Sequence, residues 1–196
     1  MKNSVKRNGK NCVLLLDDGS YFLGVGSGYF GDFLGEICFN TSITGYQEIL
    51  TDPSYFNQII NFTFPHIGVV GANFEDYESD KIYASGCIIN NPVSAASNFR
   101  SKMDFEKWLK LNKKVCVSNI DTRALTKRIR NLGACRALIH FPKDSYFENM
   151  KNLKTKLMKF PSMKNLDLAS EISTGYIYKW FDQKKLKFFK INKSFI

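Results

Sequence analysis

Paired cysteines, histidine and long apolar runs are all scarce in this 196-residue chain. Its five cysteines, Cys12, Cys38, Cys87, Cys116 and Cys135, are dispersed, and no two form a Cys-x-x-Cys pair. Four of them lie inside apolar, strand-like runs, where the expected state is a reduced core thiol. The two histidines, His66 and His140, stand at no metal-ligand spacing, so no zinc site is expected and no metal is assigned to this chain. Neither has a partner carboxylate or nucleophile at a recognisable spacing, and His66, directly after Pro65, reads as a structural hydrogen-bonding residue.

No apolar run approaches the roughly 18–20 residues that a membrane helix needs. The basic N-terminus (Lys2, Lys6, Arg7, Lys10) is followed by an apolar run only from Cys12 to Leu16. Asp17 and Asp18 then end it, which makes it too short for a secretory signal. The expected location is the cytoplasm. Two signatures of catalysis are missing as well: no Gly-x-Ser-x-Gly or Gly-x-Cys-x-Gly elbow occurs, and no phosphate-cradling Gly-x4-Gly-Lys-Ser/Thr loop. Spacing alone assembles no hydrolytic or transfer site.

What is abundant is positive charge, but unevenly. The net charge is +10; residues 1–142 hold 16 Lys+Arg against 13 Asp+Glu, whereas residues 143–196 hold 12 lysines and no arginine against 5 acids. The tail lysines come with no base-stacking platform or recognition motif, so nucleic acid is not the expected partner. A hydrophobic content of 44% and a charged fraction of 23% fit one globular core with a small appendage.

Along the chain, Asn11–Leu16 reads as a strand, Asp18-Gly19 as a hairpin turn and Ser20–Val25 as the returning strand. Gly26-Ser-Gly28-Tyr-Phe-Gly31 matches the letters of a dinucleotide fingerprint, but no amphipathic helix follows, and it reads as a flexible Gly-rich turn. Strands are expected at Glu36–Asn40, Asn57–Phe64, Ile82–Asn90, Val115–Ile120 and Ala134–Phe141, and a helical turn at Tyr46–Leu50. Glu75–Asp80 is an acidic surface loop. Helices are expected at Ser101–Leu111, with Phe105, Trp108 and Leu109 inward, and from Asp121 or Thr122 to Leu132, ending at Gly133. On the latter, Arg123, Lys127 and Arg130 line one face, a candidate row for phosphate or an acidic partner. Ser145-x-x-Glu148 resembles a capping box before a helix whose apolar stripe is Tyr146, Met150, Leu153, Leu157 and Phe160. The lysines among them face out, and Pro161 ends the helix. Hairpin strands first and β-α alternation later point to a layered α/β domain.

The densest stretch runs from Gly35 to Gly68, with hydroxyls, amides and carboxylates gathered at Asn40–Tyr55 between two strand-like runs. Phe39-Asn-Thr-Ser-Ile-Thr-Gly-Tyr-Gln-Glu-Ile-Leu-Thr-Asp-Pro-Ser-Tyr55 closely resembles the N-terminal domain of the small subunit of glutamine-dependent carbamoyl-phosphate synthase. The resemblance continues at Pro65-His-Ile-Gly68, Gly71-Ala-Asn73, Ala96-Ser-Asn-Phe-Arg100 and Ile120-Asp-Thr-Arg-Ala-Leu-Thr126. It extends to Asn165-Leu-Asp-Leu-Ala169 and Glu171-Ile-Ser-Thr174, so that about Val13 to Trp180 is covered.

The resemblance implies a three-layer β/β/α swivelling-type domain at residues 11–142. A helical extension would follow at 143–180, leading toward a glutaminase domain, and a Lys/Phe-rich tail at 181–196. It implies docking on the large synthetase subunit, which uses ATP and a divalent metal; no cofactor is assigned to this chain. It also implies glutamine as the nitrogen source, bicarbonate as co-substrate, and a product that feeds pyrimidine and arginine synthesis. Ser54, the serine of Asp-Pro-Ser-Tyr, would lie at the glutamine site, where a hydroxyl can donate or accept. None of the five cysteines sits in the family's nucleophile motif and neither histidine precedes its Pro-Glu. No catalytic residue is therefore assigned, and the chain is expected to be truncated before the glutaminase domain and inactive alone. A separate glutaminase polypeptide is a possible second partner, and a purely docking or structural subunit is the alternative.

Overall fold

Asp18-Gly19 turns the chain back on itself, with Gly19 at φ 88°, in the left-handed region that a side chain would disfavour. The hairpin joins β1 (Cys12–Leu16) to β2 (Tyr21–Gly28), paired antiparallel from Cys12↔Gly24 to Leu15↔Tyr21. The computed structural model describes residues 9–144, 146–164 and 166–173, and the backbone of 176–178 and 188–190. Beyond the hairpin come β3 (Gly31–Asn40), β4 (Gln58–Phe62), β5 (Gly86–Ile88), β6 (Val115–Ser118) and β7 (Arg136–Phe141). These seven strands close into a barrel in the order β1-β2-β6-β5-β4-β3-β7. Strands β3, β4, β5 and β6 run parallel to one another, β2 pairs antiparallel with both β1 and β6, and β7 joins β3 to β1 antiparallel on both sides.

Alternation along each strand explains what fills the barrel. Cys12, Leu14 and Leu16 from β1 meet Ile37, Ile59, Ile88, Val115, Val117 and Ile139 in one buried cluster. Leu125 and Ile129 join it from α3 (Thr122–Leu132), whose start is capped by the Asp121 carboxylate accepting from the Ala124 N–H at 2.9 Å. Neighbouring residues face outward and are covered by two separate layers. Ile60, Phe62, Cys87, Ile89 and Cys116 lie under α1 (Tyr46–Thr51) and α2 (Phe105–Leu111). Leu15 and Leu138 lie under Leu153 and Leu157 of α4 (Met150–Lys159). Residues 1–164 cluster as one unit. Residues 165–196 form another, containing α5 (Leu168–Ile172), capped by Asp167, and the antiparallel pair β8 (Tyr176–Tyr178) and β9 (Phe188–Lys190).

The expected mixed α/β architecture is present, as a closed barrel with helical covers. Several local expectations change. The Gly26–Gly31 stretch is not a flexible turn: Gly26 and Gly28 belong to β2, and Tyr29-Phe30 is a short connection into a longer β3. Gly26 is required by contact, because a Cβ there would stand 2.5 Å from the Phe141 ring. The Ile82–Asn90 strand shrinks to Gly86–Ile88, and the Ser101–Leu111 helix starts at Phe105. The Ser145 capping box does not start α4. Its cap is Asn149, whose side chain accepts from the Lys151 N–H, and Ser145 itself lies outside the described residues. Thr174 and the side chains of the 181–196 tail are likewise outside them. Among the described residues no helix is long and apolar enough to cross a membrane.

Candidate functional site

The polar stretch singled out in the sequence divides into an internal brace and an exposed tip. The brace is α1. Gly45, at φ 80°, turns the chain into a helix of six residues with Tyr46, Gln47, Leu50 and Thr51 buried. The Gln47 amide pairs with the backbone of Asn73 in both directions: its Nε2 donates to the Asn73 carbonyl at 2.6 Å and its Oε1 accepts from the Asn73 N–H at 3.0 Å. Tyr46 donates to the Gly71 carbonyl at 2.6 Å. Burial holds its phenol above the usual range, so the group is a neutral donor. Thr51 Oγ1 accepts from the Glu78 N–H at 3.0 Å, and Ser79 donates to the Thr51 carbonyl at 2.8 Å. Asn73 in turn caps Glu75 and Asp76 through its Oδ1, and Arg100 pairs with Asp76. The acidic loop and the Ala96–Arg100 segment are thus stitched to α1, with Tyr46, Gln47 and Thr51 of the motif serving that brace.

The tip is Asp52–Tyr55. Pro53 opens a single 3-10 turn (Pro53–Tyr55) and Asp52 caps it, its Oδ1 accepting from the Ser54 N–H at 2.8 Å. Tyr55 Oη accepts from Asn40 Nδ2 at 3.0 Å, which ties the end of β3 to the turn. Ser54 is exposed, and its hydroxyl has no hydrogen-bond partner among the described residues. Its backbone is fixed while its oxygen is open to a ligand, a combination suited to donating to a carbonyl or accepting from an amide.

A second polar cluster escapes any reading by spacing. His140, on β7, faces Asp32, on β3, with Nδ1 to Oδ1 2.5 Å, although 108 positions separate them. The Glu148 N–H donates to His140 Nε2 at 3.3 Å. An Nε2 that accepts leaves a proton on Nδ1, where it faces the Asp32 carboxylate. The hydrogen bond from His140, followed by that from Lys156, holds the Asp32 carboxyl below its ordinary range. Asp32, His140 and Glu148 each offer a ligand atom, all within 4.8 Å of one another. The Lys156 ammonium already occupies the space a cation would take, 2.6 Å from Asp32 Oδ2 and paired also with Glu148. With both ring nitrogens engaged as well, the group works as a fastening between barrel and α4. His140 therefore has a carboxylate partner that strand pairing supplies and sequence spacing cannot show. His66 is exposed and packs edge-on to Phe64, with ring centroids 5.5 Å apart. Its expected structural hydrogen bond is not made among the described residues.

The thiols are poorly placed for attack. Cys12, Cys87, Cys116 and Cys135 are buried and Cys38 is half-buried. Burial drives the Cys12 thiol far up. Burial and then the Glu36 charge push Cys38 up to about 12. Burial and then the hydrogen bond to Asp17 push Cys135 up to about 12. The hydrogen bond to Cys87, then burial, raise Cys116. A nucleophilic cysteine needs the opposite shift. On α3, Arg123, Lys127 and Arg130 are exposed as expected.

Comparison with known proteins places these features. Residues 14–139 match the family described as carbamoyl-phosphate synthase small chain, CPSase domain. A carbamoyl phosphate synthase small chain from Buchnera aphidicola subsp. Acyrthosiphon pisum is 47% identical over 186 residues, covering 93% of this chain and 47% of that relative. Its counterpart in Zymomonas mobilis is 45% identical over 168 residues, covering 85% and 44% respectively. That in Salmonella typhimurium is 44% identical over 171 residues, covering 87% and 44%. The chain spans about half the length of these relatives. With all or part of every barrel strand and the α1 brace inside the matched region, the chain belongs to the carbamoyl-phosphate synthase small-chain family.

Proposed function

We propose that this chain is the N-terminal, large-chain-docking part of a glutamine-dependent carbamoyl-phosphate synthase small chain, and that it supplies one wall of the glutamine site. Carbamoyl phosphate would be made from glutamine, bicarbonate and ATP by the assembled enzyme, in the cytoplasm, for pyrimidine and arginine synthesis. ATP and its divalent metal would be held by the large chain. Two facing walls of the barrel would be the β layers of the swivelling β/β/α arrangement and the covering helices its third layer. Residues 143–180 would lead toward a glutaminase domain.

The observation that carries the reading is Ser54: an open hydroxyl on a capped turn, inside the region that matches the family. Its part is to hold glutamine and not to attack it. The upward-shifted thiols favour an accompanying reading, in which these 196 residues alone are a docking module without glutaminase activity. Purified chain should release no glutamate from glutamine above background, and should form a complex with the large chain at micromolar concentration. Glutamate release would mean that a nucleophile is present after all, and absence of a complex would remove the docking role. In the enzyme assembled with its glutaminase half, Ser54→Ala should raise the KM for glutamine roughly 10-fold through the lost hydrogen bond. Ammonia-driven synthesis should be unchanged; an unaltered glutamine KM would take Ser54 out of the site.

A further inference from the structure

Helix α3 carries four cations, Arg123, Lys127, Arg128 and Arg130, and no acidic residue. Arg128 is neutralised by Asp18 from the β1–β2 turn. The other three are exposed and make no ion pair among the described residues. At i, i+4 and i+7 they form one stripe about 10 Å long. Like charges at these spacings repel one another. Arg123 also sits in the first turn, where the helix dipole disfavours a cation, and the Asp121 carboxylate at the cap accepts from the Ala124 N–H and does not pair with Arg123. A helix that sets three like charges on one face, with no compensating ion pair among the described residues, marks that face for an outside contact.

The opposite face fixes the presentation. Leu125 and Ile129 are packed in the barrel interior and Asp121 caps the first turn, so the stripe stands on a rigid support. The charge is also local. Without the four cations of α3, residues 1–142 would hold 12 Lys+Arg against 13 Asp+Glu. A long polyanion tracking over this domain would meet that slightly acidic remainder, and α3 offers no aromatic ring on which a base would stack. A compact acidic patch matches both the length of the stripe and its isolation.

We infer that the Arg123–Lys127–Arg130 face is the docking surface for a carboxylate-rich patch on a partner protein, which, on the function proposed above, is the synthase large chain. The guanidinium groups of Arg123 and Arg130 would take carboxylates two-pronged, with Lys127 between them as a point charge.

The test compares the chain with R123Q/K127Q/R130Q and R123E/K127E/R130E for binding to immobilised large chain at about 50 and about 300 mM salt. The glutamine variant, relieved of self-repulsion, should melt no lower than the parent chain, which guards against a folding artefact. Binding should weaken roughly 10-fold in the glutamine variant and roughly 100-fold in the glutamate variant, with most of the salt dependence gone. The α4 control K151Q/K154Q/K159Q should stay within about 2-fold of the parent chain. Parent and α3 variants binding alike would overturn the assignment while leaving large-chain docking intact. A parent chain that does not bind the large chain at all would overturn the function reading and this partner together. Parent chain holding a short nucleic-acid duplex through the same three residues as tightly as the large chain would replace the protein partner with a polyanion.

Discussion

On the β4–β5–β6 wall, apart from the Arg100–Asp76 pair that ties loop to loop, α1, α2 and their loops are joined by neutral groups, buried or half-buried. These are the Gln47 amide on the Asn73 backbone, the Tyr46 phenol on Gly71, and Trp108 Nε1 donating to Tyr77 Oη at 2.6 Å. On the β1–β7 wall, α4 rests on an apolar contact of Leu153 and Leu157 and is fastened by charge, through Asp32, His140, Glu148 and Lys156. The first wall supports the turn that carries Ser54. A buried neutral network has no proton to lose near pH 7 and little for salt to screen, so it holds one geometry across conditions. The second wall is half open to water, and there the same number of contacts fixes a helix less firmly. The comparison predicts a graded response to mutation.

The largest effect is expected at Gln47. It is 3% exposed, and Gln47→Leu would leave the Asn73 N–H and carbonyl buried without partners, at a cost of about 3 kcal/mol. Urea unfolding measures it, and faster amide exchange around Asn73–Glu78 should accompany it. A loss below about 0.5 kcal/mol would mean that water or backbone shift replaces the amide, and the wall would not be the rigid one described here.

The middle effect is at Asp32, and it depends on pH. The folded-state carboxyl is held below its usual value, so its contribution is complete above the unfolded value of about 4 and fades as pH falls through the lowered one. Asp32→Asn should therefore cost about 1 kcal/mol at pH 7, given partial exposure. The difference from the parent chain should shrink steadily below about pH 4. A difference that persists at low pH would show that shape, and not charge, sets the bond to His140.

The two walls also differ in how far they could be read in advance. The Asp18-Gly19 hairpin, the α3 cap and the Gly133 stop are local signals, and each appears where its residues put it. The short helix at Tyr46 was legible too, and so was the exposed stripe on α3. Barrel closure was not, because it rests on β1 and β3 both pairing with β7, more than a hundred residues along. Gly26 and Gly28 of β2 read as a turn because a glycine's contact role leaves no mark in the sequence: a Cβ at Gly26 would stand 2.5 Å from the Phe141 ring. Gln47 was visible as part of a polar motif, but its partner Asn73 is chosen by packing. The His140 cluster had no sequence signal at all, since strand register alone brings Asp32 opposite it.

The smallest effect is expected from the Glu148 side chain, and the reason lies in which of its atoms does what. The bond to the His140 ring comes from the Glu148 backbone N–H. The carboxylate only shares Lys156 with Asp32, and the Lys156 side chain is 42% exposed. Glu148→Gln keeps the backbone donor and leaves Lys156 its other anchor on Asp32. The expected loss is a few tenths of a kcal/mol at low salt, vanishing near 1 M salt as the pair is screened. Thermal melts of Glu148→Gln and the parent chain at both salt levels resolve it. A loss above about 1 kcal/mol that survives high salt would place Glu148 among buried, solvent-protected contacts. The two walls would then be attached by the same means.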